Sequence, residues 1–183
     1  MREAILASAF DLLSRKGYTT TTMAEIAKGA NTTVANLYVY FDNKLAIFYA
    51  IYQPWLHRQL ETLSASVDKF RAPETRLRRL FIGLWGDIPA ADHSFANAMI
   101  EALASAPAGM GKTNDLLVQV EAFLSAKLAE ILPPERAAVV DNELLSHVIW
   151  MAFDGFVINS HLGDVRPIEK IADTMAKLLV GIK

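Results

Sequence analysis

Three helix-start signals crowd between Thr22 and Asn43, and that crowding restricts the fold more than any other feature of the chain. Thr22 and Glu25 form T-x-x-E, the capping box. In it the threonine hydroxyl accepts from the first turn while the glutamate reaches back to the cap backbone. Thr33 can cap a helix written "VANLYVYF", and Asp42 or Asn43 can cap one beginning "KLAIFYAIY". The stretch "KGANTT" separates the first two, and its Asn31 tolerates a left-handed turn. Upstream, Ile5, Leu6, Ala9, Phe10 and Leu13 fall on one face of a helix over residues 2–16. Gly17, after Arg15 and Lys16, is a normal C-terminal stop.

The remaining segments also carry helical periodicity between proline and glycine stops. A fourth helix runs from 44 to about 70, with Pro54 expected to kink it. A fifth covers about 74–88, opened by Pro73 and closed by Pro89. A sixth covers about 93–105 and a seventh about 112–131, ending at Pro133-Pro134. An eighth spans about 135–161 and stops at Gly163, and Pro167 opens a ninth, to about 181. No segment alternates strictly as a strand does. The expectation is an all-α chain of about nine helices without repeats.

Composition narrows the function classes. Apolar residues make up 52% and charged residues 21% of the 183 positions, which suits a folded globule. There is no cysteine, so disulfides and thiolate metal sites are excluded. No run of 18 apolar residues offers a membrane span, and the opening stretch has helical spacing instead of a signal core. A cytoplasmic protein is expected. The net charge of −2 argues against bulk nucleic-acid affinity but permits a local basic patch. His57, His93 and His161 show no metal spacing, and neither metal nor cofactor is expected.

One motif points elsewhere. Residues 106–113, "APAGMGKT", match the phosphate-loop pattern once its first glycine is relaxed to alanine. A phosphate loop leaves a strand and enters a helix, cradling phosphates with backbone N–H groups. Here Ala96, Met99, Ile100, Leu103 and Ala104 have helical spacing, so no strand leads in. A helix–helix loop explains Pro107, Gly109 and Gly111 better. A nucleotide-binding enzyme remains the remote alternative, and no catalytic residue is assigned.

Two short helices across a tight turn, held by a preceding helix, make a helix-turn-helix unit. Ala24, Ile26 and Ala27 can pack the second helix, and Leu37 the third. In such units the later helix enters the major groove. Thr33, Asn36, Tyr38 and Tyr40 supply hydrogen-bonding groups there, and Lys44 a charge. Residues 21–51, "TTMAEIAKGANTTVANLYVYFDNKLAIFYAI", closely resemble the DNA-binding region of the TetR family of bacterial transcriptional regulators. Thr21-Thr22, Ile26-Ala27, Leu37-Tyr38, Tyr40-Phe41 and Lys44-Leu45 carry the resemblance, and "KGY" before them fits it.

The resemblance implies a DNA-binding domain over 1–47 and an effector-binding and dimerisation domain over 48–183. It implies phosphate contacts at Thr22, Tyr38 and Lys44, a recognition-helix cap at Thr33, and a groove-facing set of Val34, Ala35, Asn36 and Val39. Phe41 is expected in the core. Departures are Asn31 for the usual glycine, Thr32 for a usual valine, and Val34 and Val39 where polar residues are common. Those valines can still meet thymine methyls. Residues 1–50 hold five cations (Arg2, Arg15, Lys16, Lys28, Lys44) against four anions (Glu3, Asp11, Glu25, Asp42), a weak electrostatic footprint.

Residues 135–161 are apolar nearly all round. Leu144, Val148, Met151, Ala152 and Gly155 cover one side, and Leu145, Ile149, Phe153, Phe156 and Val157 the other. Such a helix is expected to be buried on both sides: one side can face its own core and the other a second subunit, with a helix buried deep in a monomer as the alternative, and which side does which is open at this point. The resemblance implies a homodimer, and Val120, Phe123, Leu124, Leu145, Ile149, Phe153 and Phe156 are its expected interface. It also implies a pocket for a small apolar effector, with Phe81, Trp85, Phe95, Met99, His147, Trp150 and Met151 as its candidates; ordinary core is the competing reading of each. The function implied is a ligand-responsive regulator, by family habit a repressor, binding a pseudo-palindromic double-stranded operator as a homodimer. A helical dimeric interaction protein with weak or lost DNA binding is the alternative.

Overall fold

The computed structural model describes residues 1–106, 113–163 and 166–181. Eleven α-helices and one π-helical turn occur among them, with no strand. The first four helices are α1 (Arg2–Lys16), α2 (Met23–Gly29), α3 (Val34–Tyr40) and α4 (Lys44–Val67). Next come α5 (Pro73–Ile82), the π turn Gly83–Asp87, α6 (Ile88–Ser94) and α7 (Asn97–Ser105). Then follow α8 (Thr113–Ile131), α9 (Pro134–Ala137), α10 (Asn142–His161) and α11 (Ile168–Val180). The all-helical expectation holds. Among the described residues, no helix is long and apolar enough to cross a membrane.

The departures from the expected helices have local causes. The single helix expected over 135–161 is two, because Asp141 turns its carboxylate onto the N–H groups of Glu143 (3.0 Å) and Leu144 (3.1 Å) and starts α10 afresh. Pro89 does not close a helix. It lies in a helical run that continues from the π turn without a break, and that run ends at Ala91 (ψ 148°). Between α5 and α6 the backbone widens into the π turn. There Gly83 lies so close to Leu63 that a Cβ would stand 2.2 Å from its side chain. Asp92, His93 and Ser94 all have positive φ, ending the helical path of α6 before α7 begins. Pro54 lies inside an unbroken α4.

The chain packs as two compact units, Met1–Arg58 with Ala90–Gly111, and Gln59–Pro89 with Lys112–Lys183. In the first, Ile5, Ala9 and Leu13 of α1 are buried with Ile26 and Ala27 of α2 and Leu37 of α3. Ala24 is exposed and takes no part in that packing. Phe95 anchors an aromatic cluster, edge-on to Phe10 and Trp55 (both 5.1 Å between centroids) and beside Tyr52 and Phe48. Trp55 donates its indole N–H to Asp92 at 2.6 Å.

In the second unit α5 packs on α11 and α8 on α10. Phe81, Trp85 and Phe156 form a stack with centroids 4.6 and 5.1 Å apart, and Trp85 donates to the Ile149 carbonyl at 3.1 Å. At the end of α4, Asp68 receives Arg76 (2.7 Å) and the nearly buried Lys127 (3.1 Å). Hydrogen bonding from Lys127 is the largest cause holding the Asp68 carboxyl below its ordinary range.

Burial settles which side of α10 meets its own core, and it is the side expected at the dimer interface. Ile149 and Phe153 are buried within the unit, as are Val120 and Leu124 of α8, while Leu145, Phe123 and Phe156 are half-buried. The exposed apolar stripe is the other one: Leu144, Val148, Met151 and Ile158, with Leu144 66% exposed. Apolar residues all round a helix carry no phase, so periodicity alone could not choose between the two sides.

Candidate nucleic-acid interface

The helix-turn-helix is built from local hydrogen bonds at each turn. Thr22 is extended (φ −111°, ψ 154°), and its Oγ1 accepts from the Glu25 N–H at 3.2 Å. Glu25 accepts in return from the Thr22 N–H at 3.0 Å, completing the capping box. Lys16 reaches the same carboxylate at 2.7 Å. Its hydrogen bond is the largest cause pulling Glu25 down to about 2 from the ordinary 4.5. Asn31 then takes the left-handed conformation (φ 52°) that the turn demands. Thr33 caps α3 by accepting from the Asn36 N–H at 3.2 Å. Thr32, standing where an apolar residue was expected, accepts from the Asn36 side-chain amide at 2.8 Å. A polar tie takes the place of packing at that turn.

Helix α3 buries one residue, Leu37. The seven-residue helix therefore spends its other faces outward. Thr33 and Ala35 are exposed, Val34 and Asn36 half-buried, and Tyr38, Tyr40 and Val39 exposed, Val39 by 75%. Three large apolar side chains in solvent on so short a helix have no core to explain them. Phe41 by contrast is buried, with the Arg2 guanidinium over its ring at 5.2 Å.

Lys44 is placed differently from a solvent-facing phosphate contact. Its ammonium donates to the carbonyls of Tyr18 (2.6 Å) and Thr21 (2.8 Å) and lies 4.2 Å from the centre of the Tyr18 ring. Burial pushes it below its ordinary value, opposed by the Glu101 carboxylate. Two of its three donors are thus committed to the loop between α1 and α2. Lysine at a helix start reads locally as a free charge; its partners lie more than 20 residues away, outside the range of any local pattern.

The expected effector residues divide between the two units. Phe95 and Met99 belong to the first and are buried. Phe81, Trp85 and Trp150 are buried in the second, and Trp150 stacks on Phe153 with 4.4 Å between centroids. Met151 and His147 are exposed on α10, and His147 Nδ1 lies 2.6 Å from Glu121 of α8. Asp154, half-buried on α10, is pushed above its ordinary range by burial. Among the described residues no three metal-binding side chains converge. The "APAGMGKT" stretch, residues 107–112 above all, lies outside the described residues. What leads into it is the helix α7, not a strand.

Against known proteins, residues 5–51 match the sequence model described as bacterial regulatory proteins, tetR family. The HTH-type transcriptional regulator RutR of Escherichia coli K12 is 30% identical over 170 residues, covering 91% of this chain and 75% of RutR. The negative transcriptional regulator IcaR of Staphylococcus aureus is 44% identical over 48 residues, 26% of each chain. Among solved structures, the fatty acid degradation regulator FadR of Bacillus halodurans superposes with a TM-score of 0.69 at 19% identity, covering 98% of this chain and 94% of that one.

Proposed function

The chain belongs to the tetR family of bacterial regulatory proteins, and from that premise we propose that it is a homodimeric repressor that reads its operator through α3 and is released by a small apolar effector. It acts as a transcriptional regulator and not as an enzyme. The observation that carries the reading is the outward display of Tyr38, Val39 and Tyr40 on a helix anchored by Leu37 alone. Cap residues Thr22 and Thr33 fix where α2 and α3 begin. Tyr38 and Thr22 face phosphates; Val34, Ala35, Asn36 and Val39 face base edges, the valines meeting thymine methyls. Lys44 serves by holding the loop before α2, with one donor left for a phosphate.

The second copy covers Leu144, Val148, Met151 and Ile158 of α10 together with the exposed Val118 of α8. Two-fold symmetry then presents two α3 helices to successive major grooves. The effector enters the second unit's aromatic interior around Trp85 and Trp150, and acts by binding one helix arrangement better than the other. The functional boundary near residue 47 and a cytoplasmic location belong to the same reading.

Selection of duplexes from a random pool, followed by titration at several salt concentrations, tests it. A selected pseudo-palindrome bound in preference to a scrambled duplex supports the regulator. A dimer that enriches no duplex supports the interaction-protein reading instead. Val148→Asp should weaken self-association by at least about tenfold, read by sedimentation, because it buries an unpaired charge in the proposed contact.

A further inference from the structure

The loop Gly17–Thr22, which leads into the α2 cap, is gripped by a residue far along the chain. Glu101 of α7 accepts from Thr19 twice, from its N–H at 2.7 Å and from its Oγ1 at 2.5 Å. The same carboxylate lies against Gly17, where a Cβ would stand 2.5 Å from Oε1; φ of 82° and the missing side chain both suit the approach. Lys44 holds the loop from its other flank through the Tyr18 and Thr21 carbonyls. Two more of the loop's hydroxyls turn back on the chain, Thr21 to the Gly17 carbonyl at 2.8 Å and Thr20 to the Lys16 carbonyl. Among the described residues, the tie to α7 reaches this loop from furthest along the chain, 82 positions away.

We infer that Glu101 is a positioning residue for DNA binding: its carboxylate on Thr19 sets the pose of the turn that presents Thr22, so the DNA-facing turn answers to the position of α7. The inference rests on the regulator reading above. It differs from a stability role in what it changes. Charge-assisted bonds to a backbone N–H and a hydroxyl order one loop without filling any core. Their loss frees that loop and leaves the buried packing of α1, α2 and α3 intact.

The test compares Glu101→Ala with Glu101→Gln, whose amide oxygen can still accept from Thr19. With a duplex selected by the wild-type protein, Glu101→Ala should bind about tenfold more weakly and Glu101→Gln less than about threefold, the range expected for losing or keeping such hydrogen bonds. Urea midpoints of the two variants should coincide. Amide exchange at Thr19 should accelerate in Glu101→Ala only, a readout that needs no DNA. Wild-type affinity in Glu101→Ala, or equal weakening in both variants alongside equal loss of stability, overturns the inference. Failure of the wild-type protein to select any duplex overturns the regulator reading itself; the exchange measurement then still decides whether Glu101 holds the loop.

Discussion

The helix-turn-helix segment and the α8–α10 pair are held by different kinds of force. Between Thr22 and Lys44 nearly every turn has a named hydrogen bond: the capping box, the Thr33 cap, the Thr32–Asn36 tie and the Lys44 grip. Each buried contribution is small, since α2 buries two residues and α3 one. In the second unit the buried contacts are stacked rings and aliphatic side chains, with the Trp85 bond to Ile149 among them, while polar ties such as His147–Glu121 and Asp68–Lys127 sit nearer the surface. Hydrogen bonds specify a pose; apolar packing specifies volume and tolerates rearrangement. A surface that must match the spacing of base edges suits the first kind. An interior proposed above to take up an effector suits the second.

Substitutions can break this contrast at either end. The largest effect should come from Trp85→Ala, which empties a stacked, buried site and removes the indole bond to the Ile149 carbonyl: a loss of about 3–5 kcal/mol in urea unfolding followed by circular dichroism. Thr33→Ala removes one cap and should cost about 1 kcal/mol, with local exchange rising in α3. Tyr38→Phe removes an exposed hydroxyl. It should leave stability within about 0.5 kcal/mol of wild type while weakening duplex binding several-fold, which separates display from folding.

The smallest effect is that of pH on the capping box. Glu25 ionises at about 2 when folded and near 4.5 otherwise, so the folded form binds fewer protons between those values. Its stabilisation is complete above about 4.5 and fades as pH falls toward 2. The carboxylate is exposed, so the gap in melting temperature between wild type and Glu25→Gln should be slight at pH 7 and close on acidification.

The same contrast explains what could be read from sequence. Caps are short-range chemistry, so Thr22, Glu25, Asn31 and Thr33 were legible, as was the extent of α1. The all-helical character followed from periodicity. The phase of α10 did not, because a helix apolar on all sides has no preferred face until its neighbours are known. The Asp141 restart was legible in principle, an Asx cap hidden inside a strongly apolar run. The π turn had no local signal; Asp92 and His93 are residues that tolerate positive φ, but three left-handed residues in a row are not a pattern that a sequence reading looks for. The role of Lys44 and the grip of Glu101 on Thr19 are products of tertiary packing, the latter across 82 positions.

The most direct test is a titration of the confirmed dimer with its selected duplex and a scrambled control near 150 mM salt. The account predicts that the selected duplex binds at least about a thousandfold more tightly, as specific recognition does over backbone attraction. It also predicts that Tyr38→Phe lowers affinity for both duplexes, as loss of a phosphate contact should. Equal, feeble binding to both duplexes, unchanged in Tyr38→Phe, would contradict it: α3 would then display its side chains to something other than DNA.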